Sequence, residues 1–435
     1  MPNYTFLPYE QLPELHTLPD PFQKPDGTRI SSPDEWEQQR SYLKAMLAHY
    51  LYGEMPPAPG NVTGTVTNQR MLDSSTISEQ VSLTFGPENS LRLDITCIRP
   101  NDGAAHPVLI WNDFGPRDQC LAEDTLTKSG VVLIRFNKEQ LGVDSYAFYS
   151  QSPCLQAYPG YSWRAIAVWA WGYSRIIDYL ENCPYADMKK IAVTGYSRNG
   201  KVALCAAIYD ERISLCAPGG SGCGGSGNFR FMGDRLGEGG GVQETIGSMS
   251  RMFGYWWADE LQQFGTSRDK QPLELAKVLA ANSLDAYYKA LLEQIDPSDN
   301  GKIGPEFRLP FDMHFARGLI APRLLLTTDS LDDDWANPYG IQVSWRASAE
   351  VYRLLGVPQN NAMFFREGSH AFSHTDWEAI AEYLLLHFSP EKLPQPKFHY
   401  IALPAPGTPK PADPNLPDWL KKKPHFSWNA PGMEH

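Results

Sequence analysis

The stretch Val193-Thr194-Gly195-Tyr196-Ser197-Arg198-Asn199-Gly200-Lys201 joins an apolar strand, "KIAVT" from Lys190 to Thr194, to an Ala-rich helix, "KVALCAAIYDE". Strand, glycine, polar residue, serine, then a glycine entering a helix is how a nucleophile elbow is built. The tight turn lifts the hydroxyl above the sheet, and small flanking residues let helix and strand approach. The usual G-x-S-x-G form is not met: Asn199 stands where the second glycine belongs, and Gly200 comes one place later. Most serines in strand–helix turns are simple helix N-caps, so the reading needs support from the rest of the chain.

Two later stretches supply it. The strand "RLLLTT" (Arg323 to Thr328) runs into an acidic cluster, Asp329-Ser330-Leu331-Asp332-Asp333-Asp334-Trp335. A further strand, "AMFFRE" (Ala362 to Glu367), delivers Gly368-Ser369-His370, and a helix follows from about Thr375. Serine, acid and histidine, each just past the carboxyl end of a strand, is the chain order of α/β-hydrolases. The expected fold is therefore α/β: a three-layer sandwich with a mostly parallel central sheet and helices on both faces.

Bulk properties agree with an enzyme of this kind. With 435 residues and 42% hydrophobic content, the chain can bury one large core, so 1–435 is read as a single domain. A net charge of −12 and no basic stripe argue against a nucleic-acid partner. No apolar run reaches the roughly 20 residues of a membrane span, so no membrane partner is expected. No signal peptide is visible at the N-terminus, and seven cysteines without a CxxC pair read as free thiols. A cytoplasmic location follows, or secretion if a leader has been removed.

The remaining organisation reads coarsely. Residues 1–32 are Pro-rich and expected to wrap the surface; 390–435 form a Pro-rich irregular tail. Ser32-Pro33-Asp34-Glu35 has the form of a capping box opening a helix toward Gly53. Asn61 to Arg99 alternates as antiparallel strands at one sheet edge, while "PVLIWN" (107–112) and "VVLIRFN" (131–137) suit strands covered on both faces. Tyr161 to Leu180 is an aromatic helix whose Trp163, Ile166, Trp169, Tyr173 and Ile177 recur at helical spacing, a core face rather than a ligand platform. "ISLCAP" is the next strand, and 242–298 reads as helical. The glycine-rich runs 219–227 and 237–241 lack the Gly-Lys-Ser/Thr of a phosphate loop. No metal-ligand spacing appears, so neither a metal nor another cofactor is called for. His314, in "PFDMHF", is read as loop support, and His374 as a weaker rival of His370 for the general base.

Three long stretches, "WGYSRIIDYLENCPYADMKKIAVTGYSRNGKVALCAAIYDERISLCAPGGSGCGG", "LPFDMHFARGLIAPRLLLTTDSLDDDWANP" and "REGSHAFSHTDW", together with "LYGEMP" near the N-terminus, resemble the glucuronoyl esterases of carbohydrate esterase family 15, the bacterial members in particular. The resemblance implies that Ser197 is the nucleophile and His370 its general base. It implies that Arg198 stabilises the oxyanion, that Lys201 contacts sugar hydroxyls and that Trp335 lies beside the sugar. Asp333 stands where bacterial members place an aspartate two residues before that tryptophan. Some relatives carry a glutamate acid in the loop after the sixth strand; here glycine occupies that place, at 220, which directs the role to Asp332, Asp333 or Asp334. Asp234, Glu238 and Glu244 follow downstream, and Glu244 matches a substrate-contacting glutamate.

The chemistry of these residue types agrees. A serine hydroxyl needs a histidine to take its proton, and the imidazolium needs a carboxylate on its other nitrogen. The oxyanion needs preorganised donors, here the Arg198 N–H and guanidinium. Two cations in the first turn of a helix, Arg198 and Lys201, sit badly with the helix dipole unless they serve a ligand. The expected function is a serine carboxyl-ester hydrolase working through an acyl-enzyme on an ester of glucuronic acid or a related carbohydrate. The partner is then a small-molecule or oligosaccharide ester. An acyltransferase with the same triad, or a non-catalytic carbohydrate-binding relative, is the alternative.

Overall fold

The computed structural model of the protein describes residues 4–112, 119–231, 244–265, 305–393, 395–403 and 425–432. Nine strands form one sheet: β1 Thr63–Met71, β2 Thr76–Phe85, β3 Leu91–Pro100, β4 His106–Asn112, β5 Val132–Phe136, β6 Ala186–Tyr196, β7 Leu215–Gly219, β8 Leu324–Ser330 and β9 Asn361–Arg366. Their order across the sheet is β1-β2-β3-β5-β4-β6-β7-β8-β9. The first three strands and β5 pair antiparallel, and every pairing from β5 through β4 to β9 is parallel.

Sequence chemistry accounts for both ends of this order. β1 is Thr- and Gln-containing and exposed along its whole length, as an edge strand should be. β4, in the middle, is buried from Pro107 onward and divides its side chains between two cores. Val108 and Ile110 join one apolar cluster, Leu109 and Trp111 the other. That is the two-residue period of a strand covered on both faces.

The helices fill those faces. Among the described residues they are α1 Trp36–Leu47, α2 Glu123–Lys128, α3 Pro153–Ala157, α4 Ala165–Leu180, α5 Arg198–Tyr209, α6 Ile246–Phe253, α7 Met313–Gly318, α8 Pro338–Leu354 and α9 His374–Phe388. α1, α4 and α5 pack on the Val108 face; α9, through Trp377, Ile380 and Leu384, packs on the Leu109 face. Each fully buried side chain of this kind contributes roughly 1.5–3 kcal/mol. The aromatic helix α4 is a packing face, with Trp169, Tyr173 and Ile177 fully buried. It begins at Ala165 rather than Tyr161, with Arg164 in extended conformation at its N-cap.

Other expectations are corrected locally. Ser32 makes no side-chain cap; the Glu35 carboxylate instead accepts from the backbone N–H and hydroxyl of Ser31, at 2.7 Å each. A short 3-10 turn, Pro33–Glu35, precedes α1, and a π turn, Ala48–Tyr52, follows it. β8 runs two residues past Thr328, so Asp329 and Ser330 belong to the strand and are buried. Most of the 242–298 stretch lies outside the described residues; within it α6 is helical.

The described parts of the chain's ends meet each other. The Trp428 indole donates to the Leu18 carbonyl at 3.0 Å, and Phe22 packs edge-on against Trp36 and Trp428. Among the described residues no helix is long and apolar enough to cross a membrane.

Candidate active site

The parallel strands β4, β6, β7, β8 and β9 end on one side of the sheet, and the candidate residues stand on the turns that leave them. Ser197 follows β6 with φ 55° and ψ −123°, a left-handed conformation that costs on the order of 1–3 kcal/mol for a non-glycine residue. Its backbone N–H donates to the Gly219 carbonyl at 2.8 Å, which holds the elbow against β7. A Cβ on Gly195 would come within 2.4 Å of the Asn199 carbonyl oxygen, and one on Gly200 within 2.8 Å of the Gly219 oxygen. Both glycines are there because helix, strand and next strand touch.

Asn199, the departure from the usual elbow pattern, has its own work. Its Oδ1 accepts from the Asn112 side chain at 2.9 Å, bolting α5 to the end of β4. The Asn112 Oδ1 in turn accepts from the Lys138 backbone at 3.2 Å. A buried amide pair of this sort is worth about 1 kcal/mol and leaves no polar atom stranded.

The histidine reaches Ser197 from the loop after β9. His370 Nε2 lies 2.9 Å from Ser197 Oγ, and His370 Nδ1 lies 2.5 Å from Asp333 Oδ2. The imidazole rests on the Tyr196 ring, centroids 5.1 Å apart. Its loop is tied down at several points. The Gly368 N–H donates to Asp332 at 2.8 Å, the Ser330 hydroxyl donates to the Gly368 carbonyl, and Arg366 pairs with buried Asp376 at 2.6 Å.

The three adjacent aspartates thus diverge. Asp333 has a buried side chain and, besides His370, accepts from the Ala336 N–H at 3.2 Å. Asp332 serves the histidine loop. Asp334 opens a 3-10 turn, Asp334–Ala336, and does not cap the helix that follows; that falls to Asn337, whose Oδ1 accepts from the Gly340 N–H at 2.9 Å. Asp329 is fully buried, and neither carboxyl oxygen has a hydrogen-bond partner among the described residues. Burial first, and then the nearby Asp333 and Asp376, drive its pKa well above the usual carboxylate range.

The alternative loop has no room for an acid at position 220. Gly220 has φ +47°, and a Cβ there would lie 2.3 Å from the Tyr196 ring. Asp234 and Glu238 lie outside the described residues. Glu244 is buried and points elsewhere: its Oε2 accepts from Lys201 Nζ at 2.8 Å, and Lys201 also donates to the Ser221 carbonyl at 2.6 Å. Burial raises the Glu244 carboxyl and the Lys201 ammonium opposes that rise. The Glu244 backbone donates to the Trp335 carbonyl at 3.2 Å, so Lys201, Glu244 and half-buried Trp335 form one group.

Arg198 has a partner that no motif announced. Its Nη1 lies 2.6 Å from Asp144 Oδ2, a carboxylate that also meets Lys138, Tyr255 and Trp256. Asp144 sits in "LGVDSYAFY", a run with no spacing signature, so sequence reasoning passed it by. The two other histidines stay away. His314 is fully buried with Nε2 donating to the Pro19 carbonyl at 2.9 Å, and exposed His374 opens α9 with Glu378 3.5 Å away.

Comparison with known proteins places the chain in a family. A family model described as fungal glucuronyl esterase matches residues 85–282 and 301–356. A 4-O-methyl-glucuronoyl methylesterase of Schizophyllum commune is 30% identical over 83% of this chain and 78% of its own. The chain belongs to the glucuronoyl esterase family. Carbohydrate esterase MZ0003, from an unknown prokaryotic organism, is 25% identical over 87% of this chain and 91% of its own. The fold is shared with a promiscuous family 15 esterase from a marine bacterial metagenome. That match has a TM-score of 0.67 and 24% identity, covering 87% of this chain and 98% of the other. As a member of the glucuronoyl esterase family, the protein is a carboxylic ester hydrolase with an α/β-hydrolase fold.

Proposed function

We propose that this esterase hydrolyses esters of glucuronic acid, with Ser197 as nucleophile, His370 as general base and Asp333 as the acid that orients it. The observation that carries the reading is the continuous chain from Ser197 Oγ to His370 at 2.9 Å and on to Asp333 at 2.5 Å. His370 Nε2 takes the hydroxyl proton as Ser197 Oγ bonds to the ester carbonyl carbon. The carbonyl oxygen becomes an oxyanion beside the Arg198 N–H and guanidinium. The C–O bond to the alcohol then breaks, and the alcohol leaves with the proton held by His370. Water adds to the acyl-enzyme by the same route and releases the acid and Ser197.

Lys201, Glu244 and Trp335 are assigned to the sugar. The buried Lys201–Glu244 pair is tied through the Glu244 backbone N–H to the Trp335 carbonyl, so a charged pair and a half-buried indole are held on neighbouring chain segments. The substrate is then a small-molecule or oligosaccharide ester of the uronic acid. A reducing compartment such as the cytoplasm fits the seven cysteines, all of them buried and unpaired; recovery of the protein from the extracellular fraction of its host would exclude it.

Labelling tests the nucleophile. A fluorophosphonate probe should modify Ser197, identified by peptide mass spectrometry, and abolish ester hydrolysis. A labelled peptide that lacks Ser197 would remove the assignment.

A further inference from the structure

Asp144 lies six residues beyond Lys138 in the chain, on the loop that leaves β5. Its side chain is 1% exposed and collects donors from three separate elements. Lys138 Nζ stands 2.8 Å from Oδ2, on the turn that follows β5. Arg198 Nη1 stands 2.6 Å from the same oxygen, at the first position of α5 and next to Ser197. Tyr255 OH at 2.6 Å and Trp256 Nε1 at 3.4 Å approach Oδ1 from the turn after α6. The guanidinium is also held from its face, its carbon 5.0 Å from the Trp256 ring centroid and 5.6 Å from that of Phe253.

We infer that Asp144 is a positioning residue for the esterase reaction. It clamps the Arg198 guanidinium so that the charge is already in place when the oxyanion forms at Ser197. An arginine has a long side chain with many rotamers, and a donor that must be recruited during the reaction loses much of its benefit. Here one edge of the guanidinium is tied to a buried carboxylate and its face to two aromatic rings. One carboxylate facing two cations also leaves the cluster one positive charge in excess, next to the nucleophile and to the positive end of α5. Burial by itself raises the Asp144 carboxyl, but Arg198 and Lys138 overturn that and hold it below the ordinary carboxylate range. Half-buried Glu139 is a further acid nearby, and burial raises it.

The inference rests on the proposed role of Arg198, and the test separates the two. In Asp144→Asn, two cations lose their counter-ion, and a loss of fold is a foreseeable result. The decisive variant is therefore the pair Lys138→Met/Asp144→Asn, which removes one charge of each sign. It leaves the net charge of the cluster unchanged while deleting the clamp. Thermal melting establishes folding, and kcat and KM are measured on a methyl glucuronate ester. The pair should lose about 10²–10³-fold in kcat, the size of one oxyanion donor, with KM within about threefold. Built into Arg198→Gln, the same pair should change kcat by less than about threefold, because residues acting through one another are not additive. Equal losses in both backgrounds would make Asp144 merely structural and overturn the inference. Full turnover in the pair, with Arg198→Gln impaired, would overturn the Asp144 assignment alone. Full turnover in Arg198→Gln would overturn both.

Discussion

Replacing Asp333 by Asn probes the acid with the least disturbance to the fold. The side chain keeps its size, and its carbonyl can still accept from the Ala336 N–H that Asp333 holds at 3.2 Å. The other contact cannot survive in the same form. His370 Nδ1, 2.5 Å from Asp333 Oδ2, would face an amide that donates as readily as it accepts. An amide N–H turned toward Nδ1 fixes the imidazole with its proton on Nε2, the nitrogen 2.9 Å from Ser197 Oγ that must take the serine proton. The analogous change in a serine protease lowers kcat by about 10⁴, equivalent to about 5 kcal/mol of transition-state stabilisation. A loss of that order is expected here in kcat on a methyl glucuronate ester, with circular dichroism and melting temperature close to the parent. A loss of less than about tenfold would refute the reasoning, and would do so most plainly if a change at Asp234, Glu238 or Glu244 then destroyed activity.

Two further outcomes follow from buried charges. Lys201→Met/Glu244→Gln removes both charges of the buried pair without stranding either, and should raise KM for a glucuronate ester by about tenfold, within the range of losing a charge-assisted contact, while p-nitrophenyl acetate turnover changes little. Equal losses on both esters would remove the sugar role. His314 has its pKa lowered to about 3 by burial, so the folded state resists a proton that the unfolded chain accepts near pH 6.5. Stability tied to this group is intact above pH 6.5 and falls as pH drops from there toward 3, by up to a few kcal/mol. Melting curves of His314→Gln, which keeps a donor for the Pro19 carbonyl, should be flatter across that window, and a parallel pH profile would show that other groups control acid stability.

What was legible in the sequence has a physical pattern. Covered strands, the aromatic helix and the strand–turn–helix at Ser197 are marked by local periodicity and by glycines that close packing requires. The chain order of Ser197, Asp333 and His370 was legible because each follows a strand whose apolar run is unmistakable. The separation of Asp332, Asp333 and Asp334 was not, since one residue in a 3-10 turn redirects a side chain, and the preference for Asp333 came from family spacing. The end of β8 is not legible because Asp329, an acidic residue that sequence reading assigns to the surface, is fully buried within the strand. Asp144 was invisible for a different reason. Its partners Lys138, Arg198 and Tyr255 come from three elements that only the folded sheet brings together. Gly220 carried a readable signal, the absence of a glutamate. The cause, a Tyr196 ring 2.3 Å from where its Cβ would stand, needed coordinates.

The central claim is that Ser197, driven by His370 and Asp333, cleaves a glucuronic acid ester. Its most direct test is kcat/KM for a methyl or benzyl glucuronate ester against an acetylated sugar, measured on the parent protein and on Ser197→Ala. The account requires faster cleavage of the glucuronate ester by the parent and no more than a trace of turnover in Ser197→Ala. Equal or better hydrolysis of the acetyl ester would contradict the substrate assignment, and sustained turnover in Ser197→Ala would contradict the nucleophile.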